Sequence, residues 1–317
     1  MSDPLIILSP PRSFSSIVST MIGEHPQLYG FPELHLFGGD TVEEIIRKEE
    51  KAGYPGPPGL IRTLAQEHDG MQNTKTIFKA IAWFRERRHW STKKLLDYLL
   101  DLINPKIGVE KSPMTAKKTK YIERAYVMFP EACYLHLTRH PLSARKSIQE
   151  FYENKKRLGN NNLDSIKYVV DSLLVWYVMH KNILDFTKTL PLGQTIRIKG
   201  EDVLSEPDTY LPQIAQWLDL RTDNEAIEAM KHPENSPYAY VGPNPARGGN
   251  DPKFMRSPKL RSGKVKEPSL KDFFATESWE WIAGDIKDLL RESEFELSSE
   301  DEVAQEINKL ANVMGYQ

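Results

Sequence analysis

The chain has 317 residues, which suits one large α/β domain or two modest ones. Hydrophobic residues make up 39%, enough for a real core, yet no apolar run reaches the roughly 20 residues that span a bilayer. The net charge of −2 argues against a protein devoted to gripping nucleic acid, and a lone cysteine, Cys133, excludes an internal disulfide and fits a reducing compartment.

Taken in chain order, Leu5–Leu8 (LIIL) reads as a buried strand. Neither a basic segment nor a small-residue cleavage site precedes it, so the expectation is a cytoplasmic protein with no signal peptide and no membrane contact. Ser15–Gly23 reads as a helix, Leu28–Phe31 as a strand and Val42–Lys51 as an amphipathic helix. Tyr54–Gly59 (YPGPPG) is irregular, because proline lacks a donor and clashes with the preceding turn. Ser91–Ile103 is a helix with a serine cap, Ile107–Val109 a strand, Thr115–Phe129 a helix. Cys133–Thr138 is a strand, Leu142–Tyr152 a helix, Arg157–Asn162 a polar break, Ser165–Thr189 a helix and Thr195–Ile198 a strand. Pro233–Pro268 is a long segment rich in Pro, Gly, Lys and Arg, a length that marks a functional loop in a compact domain. Two helices are expected over roughly Trp279–Met314. Strands alternating with helices imply an α/β fold with a central parallel sheet flanked by helices, and no linker separates two cores, so 1–317 is expected to be one domain.

Two segments repeat a strand–turn–helix pattern with chemistry in the turn. In SPPRSFSS the helix N-terminus offers unpaired amides, Ser13, Ser15 and Ser16 offer hydroxyls, and Arg12 offers a permanent cation, which suits a phosphate. It is not the nucleoside triphosphate loop, which needs G-x-x-x-x-G-K-[ST]. In YLHLTRHPLSARKSIQEFY, Arg139 ends the strand and Ser147 lies eight positions later inside the helix, placed for a second phosphate at the same sheet edge. Alone, each segment also reads as an ordinary turn with serine caps or a surface arginine.

Together they resemble the sulfotransferases that use 3′-phosphoadenosine 5′-phosphosulfate (PAPS). SPPRSFSS is similar to that family's 5′-phosphosulfate loop and TRHPLSARKS to its 3′-phosphate motif. VEKSP (Val109–Pro113) is similar to its Lys-[Ser/Thr/Asp]-Pro element. PELHLF (Pro32–Phe37), with Glu33 21 positions after Arg12, looks like the carboxylate base of the tyrosylprotein branch. Two features depart from the small-molecule branch: Arg12 replaces its loop lysine, and its Gly-x-x-Gly-x-Trp-Lys element is missing. GPNPARGGNDPKF (Gly242–Phe254) stands there instead; with GLIRTLAQ (Gly59–Gln66) it resembles the bacterial sulfotransferases of polyketide and olefin synthases, which act on β-hydroxyacyl chains held by an acyl carrier protein.

The resemblance implies a P-loop-like three-layer fold and sulfuryl transfer from PAPS, with PAP as product and no metal. It implies that Arg12, Ser13, Phe14, Ser15, Ser16, Arg139 and Ser147 hold the nucleotide, with Arg247, Gly248 and Gly249 folding over the 3′-phosphate. Arg12 and Lys111 would neutralise the leaving phosphate and Glu33 would act as base, with His35 as the rival base two positions on. The acceptor would be an acyl carrier protein's hydroxyacyl chain or a small hydroxylated molecule. Tyr54–Asp69 could then serve as a lid, and Arg62 or Arg85–Arg88 as a basic rim for the carrier. A nucleotide-phosphate kinase of similar fold is the competing reading, but it should carry the Gly-rich lysine loop.

Overall fold

The computed structural model describes residues 3–157, 172–261, 263–270 and 300–316. Its centre is a five-stranded, wholly parallel sheet: β1 (Leu5–Leu8), β2 (Leu28–Gly30), β3 (Ile107–Glu110), β4 (Cys133–Thr138) and β5 (Thr195–Lys199), in the order β2-β3-β1-β4-β5. Parallel strands need crossovers, and these are supplied by helices on both faces. The described residues hold α1 (Ser15–Gly23), α2 (Val42–Lys51), α3 (Pro58–Asp69), α4 (Thr74–Glu86), α5 (Thr92–Leu102), α6 (Thr119–Met128), α7 (Pro141–Arg157), α8 (Ser172–Thr187), α9 (Gly200–Ser205), α10 (Pro207–Trp217), α11 (Asn224–Met230), α12 (Pro252–Arg256) and α13 (Glu300–Val313).

Side-chain alternation along β1 divides the core. Ile6 and Leu8 point to the layer made by α2 to α6 and α8; Leu5 and Ile7 point to the layer made by α1, α9, α10 and α11. The protein is therefore a three-layer α/β fold, as its strand–helix alternation predicts. The other face of α8 packs on α13 and the turn after it, with Leu173, Trp176 and Tyr177 in one cluster with Ile307, Ala311 and, past the helix end, Tyr316. On the α1 side, Gly23 lets the helix touch strand β2: a Cβ there would lie 2.4 Å from the Gly30 Cα.

Every predicted strand is present within one residue at each end. The Thr115–Phe129 helix is instead a 3₁₀ turn at Pro113–Lys117 followed by α6, because Lys118 is extended between them. α4, α9, α10, α11 and α12 are helices that the sequence pattern does not single out. The expected lid segment is largely α3, a core helix whose Leu60, Ile61, Leu64 and Ala65 are fully buried. Arg62 on the same helix is buried too, so it is no rim charge. Residues 158–162 of the polar break, 165–171 of the long helix and 279–299 of the C-terminal helices lie outside the described residues. No helix among the described residues is long and apolar enough to cross a membrane.

Candidate active site

β1 lies between β3 and β4, so the chain leaves it first toward one edge of the sheet and later crosses to the other. That switch point opens a crevice beyond the C-terminal strand ends. The turn after β1 carries Arg12 to Ser16; Lys111 follows β3 directly; Arg139 follows β4 directly. Three charged or polar segments far apart in sequence thus converge on one edge.

The first turn is held in an unusual conformation. Arg12 and Phe14 both have positive φ, 64° and 60°. Side chains with a Cβ resist this region, at a cost of order 1–3 kcal/mol each, and such strain collects at functional sites. Phe14 caps α1 without any side-chain bond, so the serines are not spent as caps. The Ser13 hydroxyl is buried with no hydrogen-bond partner. Arg12 Nε donates to Ser147 Oγ at 3.1 Å, and its guanidinium forms a close ion pair with Asp251. Arg139 donates to the Arg12 carbonyl at 2.6 Å and lies 4.0 Å from the Phe14 ring centroid, while Arg139 Nε is buried and unpaired. Burial pulls the Arg139 guanidinium down to about 10, still cationic at neutral pH. Arg12, Phe14, Ser16, Arg139 and Ser147 line a cavity of about 440 Å³, ringed further by Lys253, Lys259, Arg261 and Lys264.

A second cavity, about 570 Å³, shares Arg12, Phe14, Ser16 and Asp251 with the first. Its remaining wall is largely apolar, with Tyr54, Pro113, Met114, Ile148, Phe151 and Val175, and Glu33 and His35 stand in it. The junction is built around Lys111. Its ammonium, fully buried, donates to Ser16 Oγ (3.0 Å), Glu33 Oε1 (2.9 Å) and Asn250 Oδ1 (3.0 Å). The Ser16 hydroxyl also accepts from the Asp251 amide at 2.8 Å. Burial raises the Glu33 carboxyl, but Lys111 and His35 outweigh it and hold it down at about 2. Glu110, buried beneath and hydrogen-bonded to Ser112, is pushed up to about 7 by burial.

Arg12, Phe14, Ser16, Lys111, Glu33, His35, Arg139 and Ser147 are thus brought together, and Ser15 joins them on the apolar side. Arg247, Gly248 and Gly249 sit elsewhere than expected. Arg247 is exposed and borders neither cavity. The Gly248 carbonyl accepts from buried Arg62 at 3.0 Å. Gly249, with φ 107°, borders the apolar cavity, and its carbonyl accepts from the Glu33 amide at 2.8 Å. The loop instead delivers Asn250, Asp251 and its lysines to the charged residues. Their signal was the position of NDPK directly after the glycine pair; a loop's path is set by tertiary contacts, so spacing could not read it. Of the expected rim, Arg85 is paired with Glu50, and Arg87 stacks 3.8 Å from the Trp83 ring centroid.

Among solved structures, the sulfotransferase domain from the curacin biosynthetic pathway is 22% identical with a TM-score of 0.65, covering 100% of this chain and 99% of that one. The sulfotransferase domain from the Synechococcus PCC 7002 olefin synthase is 24% identical with a TM-score of 0.62, covering 94% and 98%. No curated protein matches this sequence. At such identities the structural likeness speaks for the fold alone. The model of the sulfotransferase family, however, matches residues 4–224, and that span takes in β1 to β5 and each of the three converging segments. The chain belongs to the sulfotransferase family.

Proposed function

We propose that this protein is one sulfotransferase domain that moves a sulfuryl group from PAPS to the β-hydroxyl of an acyl chain on an acyl carrier protein. The observation that carries the reading is the shared wall of the two cavities. A basic, nucleotide-sized cavity and a mostly apolar one meet at Arg12 and Ser16, with Lys111 and Glu33 at the seam. Donor and acceptor would enter from opposite sides and react in line.

The basic cavity suits the donor on its own terms. The unpaired Arg139 Nε and the buried, unpaired Ser13 hydroxyl are unmet hydrogen-bonding groups beside the strained turn, the kind of site a phosphate satisfies. Arg139 and Ser147 would hold the 3′-phosphate, and the Arg12–Ser16 turn the 5′-phosphosulfate. Bound PAPS supplies the sulfuryl group and a phosphate leaving group. Arg12 and Lys111 then stabilise charge on that phosphate, a preorganised electrostatic role that two fixed cations perform without a metal. The three protons of Lys111 are spent on Ser16, Glu33 and Asn250, so as held it acts on that phosphate through its charge and not through a direct bond. Glu33, ionised and facing the apolar cavity, takes the hydroxyl proton, a role worth typically about 10²- to 10⁴-fold.

The acceptor assignment rests on the apolar lining and on the loop resemblance to synthase-associated sulfotransferases. Its test is a mass-spectrometric comparison of one β-hydroxy acid presented free and on a carrier protein, with PAPS as donor. The carrier-borne form is expected to have by far the higher kcat/KM. Equal efficiency for both, or good turnover of a simple phenol, would remove the carrier protein and leave sulfuryl transfer to a free hydroxyl.

A further inference from the structure

A chain of polar contacts continues behind Glu33. His35 Nε2 lies 3.4 Å from Glu33 Oε2, and its Nδ1 lies 3.3 Å from Glu49 Oε1 on α2. The imidazole is therefore held at both nitrogens by carboxylates from two different elements. Its backbone is fixed as well. His35 has φ 57°, and its amide donates to Ser112 Oγ at 3.0 Å, which in turn bonds Glu110. Glu49 is 15% exposed and contributes to the apolar cavity. With His35 it also borders a third cavity of about 140 Å³, together with Lys48 and Tyr121, and that cavity shares no lining residue with the first.

We propose that Glu49 is a positioning residue for the transfer reaction: it locks His35 between two carboxylates, so that the ring stands behind Glu33 as a fixed countercharge and not as a second base. The inference rests on the reading of Glu33 as base. The need for such a group follows from charge. A donor with two phosphate-bearing ends draws on Arg12 and Lys111, and its negative charge raises the proton affinity of any nearby carboxylate. A cation on the far side of Glu33, out of reach of the nucleotide cavity, offsets that and keeps the carboxylate ionised and aimed.

The surroundings of His35 support the cationic form. Facing it are Glu33 from its own segment, Glu110 and Lys111 from the end of β3, Glu49 and Lys48 from α2, and Tyr54 and Tyr121 across the cavities. Burial alone would lower the imidazole's pKa; the two carboxylates that bond it outweigh burial and raise it to about 10. With Glu49 neutralised, one carboxylate remains and the ring should titrate within the assay range, nearer the ordinary value of about 6.5.

The test compares Glu49→Gln, Glu49→Asp and the parent protein across pH, using whichever acceptor turns over. The parent and Glu49→Asp should give a flat kcat from about pH 6 to about pH 8.5. Glu49→Gln should approach the parent at the acid end and fall about tenfold at the alkaline end as His35 loses its proton, with KM for PAPS unchanged. A flat profile in Glu49→Gln, or a loss equal at every pH as mere structural damage would give, overturns the proposal. The His35 ring can also be titrated by NMR in the parent protein, which does not depend on any variant folding; titration below about pH 8 likewise overturns it. Glu33→Gln, run alongside, separates the two readings: retained turnover there removes Glu33 as base, whereas failure of the Glu49 series alone leaves that role intact.

Discussion

At the scale of single residues, the proposed reaction turns on which of two neighbouring groups takes a proton. Glu33 and His35 are two positions apart and both face the apolar cavity, and in the sequence only the offset of Glu33 from Arg12 favours it over its rival. Their partners separate them. Glu33 bonds a fully buried ammonium, whereas His35 bonds two carboxylates. A carboxyl held near 2 is ionised at neutral pH and available as a base, while an imidazole held near 10 is already protonated. Glu33→Gln keeps the shape and removes the proposed base, so turnover should fall by about 10²-fold or more, with calorimetric PAP affinity nearly unchanged. The sign of the pH dependence follows: a depressed carboxyl works above its own pKa and fails only as pH falls through it. The parent kcat/KM should therefore show no rise between about pH 6 and about pH 8. A rise through that window to a plateau near pH 10 would mean that neutral His35 is the base.

At the scale of elements, α3 supports the active segment from behind. Gly59, in its first turn, lies so close that a Cβ would meet the Glu33 carbonyl oxygen at 2.3 Å and its amide nitrogen at 3.0 Å. The backbone of Glu33 cannot yield without moving its carboxylate from Lys111. Gly59→Ala should cost about 1–3 kcal/mol of stability, as overpacking does, and should lower turnover about tenfold or more, since small misplacements of catalytic groups are costly. Thermal unfolding and kcat measured on the same preparation check this; full turnover in a destabilised variant would show that the contact serves packing alone. The proline-rich YPGPPG stretch marks where α3 starts, with Pro58 at its first position. In the sequence the stretch is irregular and opens the expected lid segment. The four fully buried apolar side chains of α3 make the following segment part of the core.

At the scale of the whole molecule, a net charge of −2 conceals a local concentration of cations. Arg12, Arg139, Lys253, Lys259, Arg261 and Lys264 border one cavity, with Asp251 as the carboxylate among them. Exposed Lys259, Arg261 and Lys264 lie in the screened regime, where the Debye length shrinks from about 10 Å at 0.1 M salt to about 3 Å at 1 M. PAP affinity should therefore weaken several-fold between these salt concentrations by calorimetry. An affinity independent of salt would mean that the loop cations do not face the nucleotide.

The sequence by itself determined the layer architecture and the three polar segments that converge beyond the strand ends. Those signals are local: short apolar strands, the turn chemistry that follows them, and fixed offsets such as Arg139 to Ser147. Parallel strands all end on one edge of the sheet, so residues just past β1, β3 and β4 share that edge, and the strand order then makes them neighbours. The tertiary structure alone decided what came from loops and packing. Asn250 reaches Lys111 across 139 positions of chain, Glu49 reaches His35 from a helix face, and Arg62 is drawn inside to hold the Gly248 carbonyl. No periodicity encodes such contacts, because they depend on where a loop or a helix face lies once the sheet has formed.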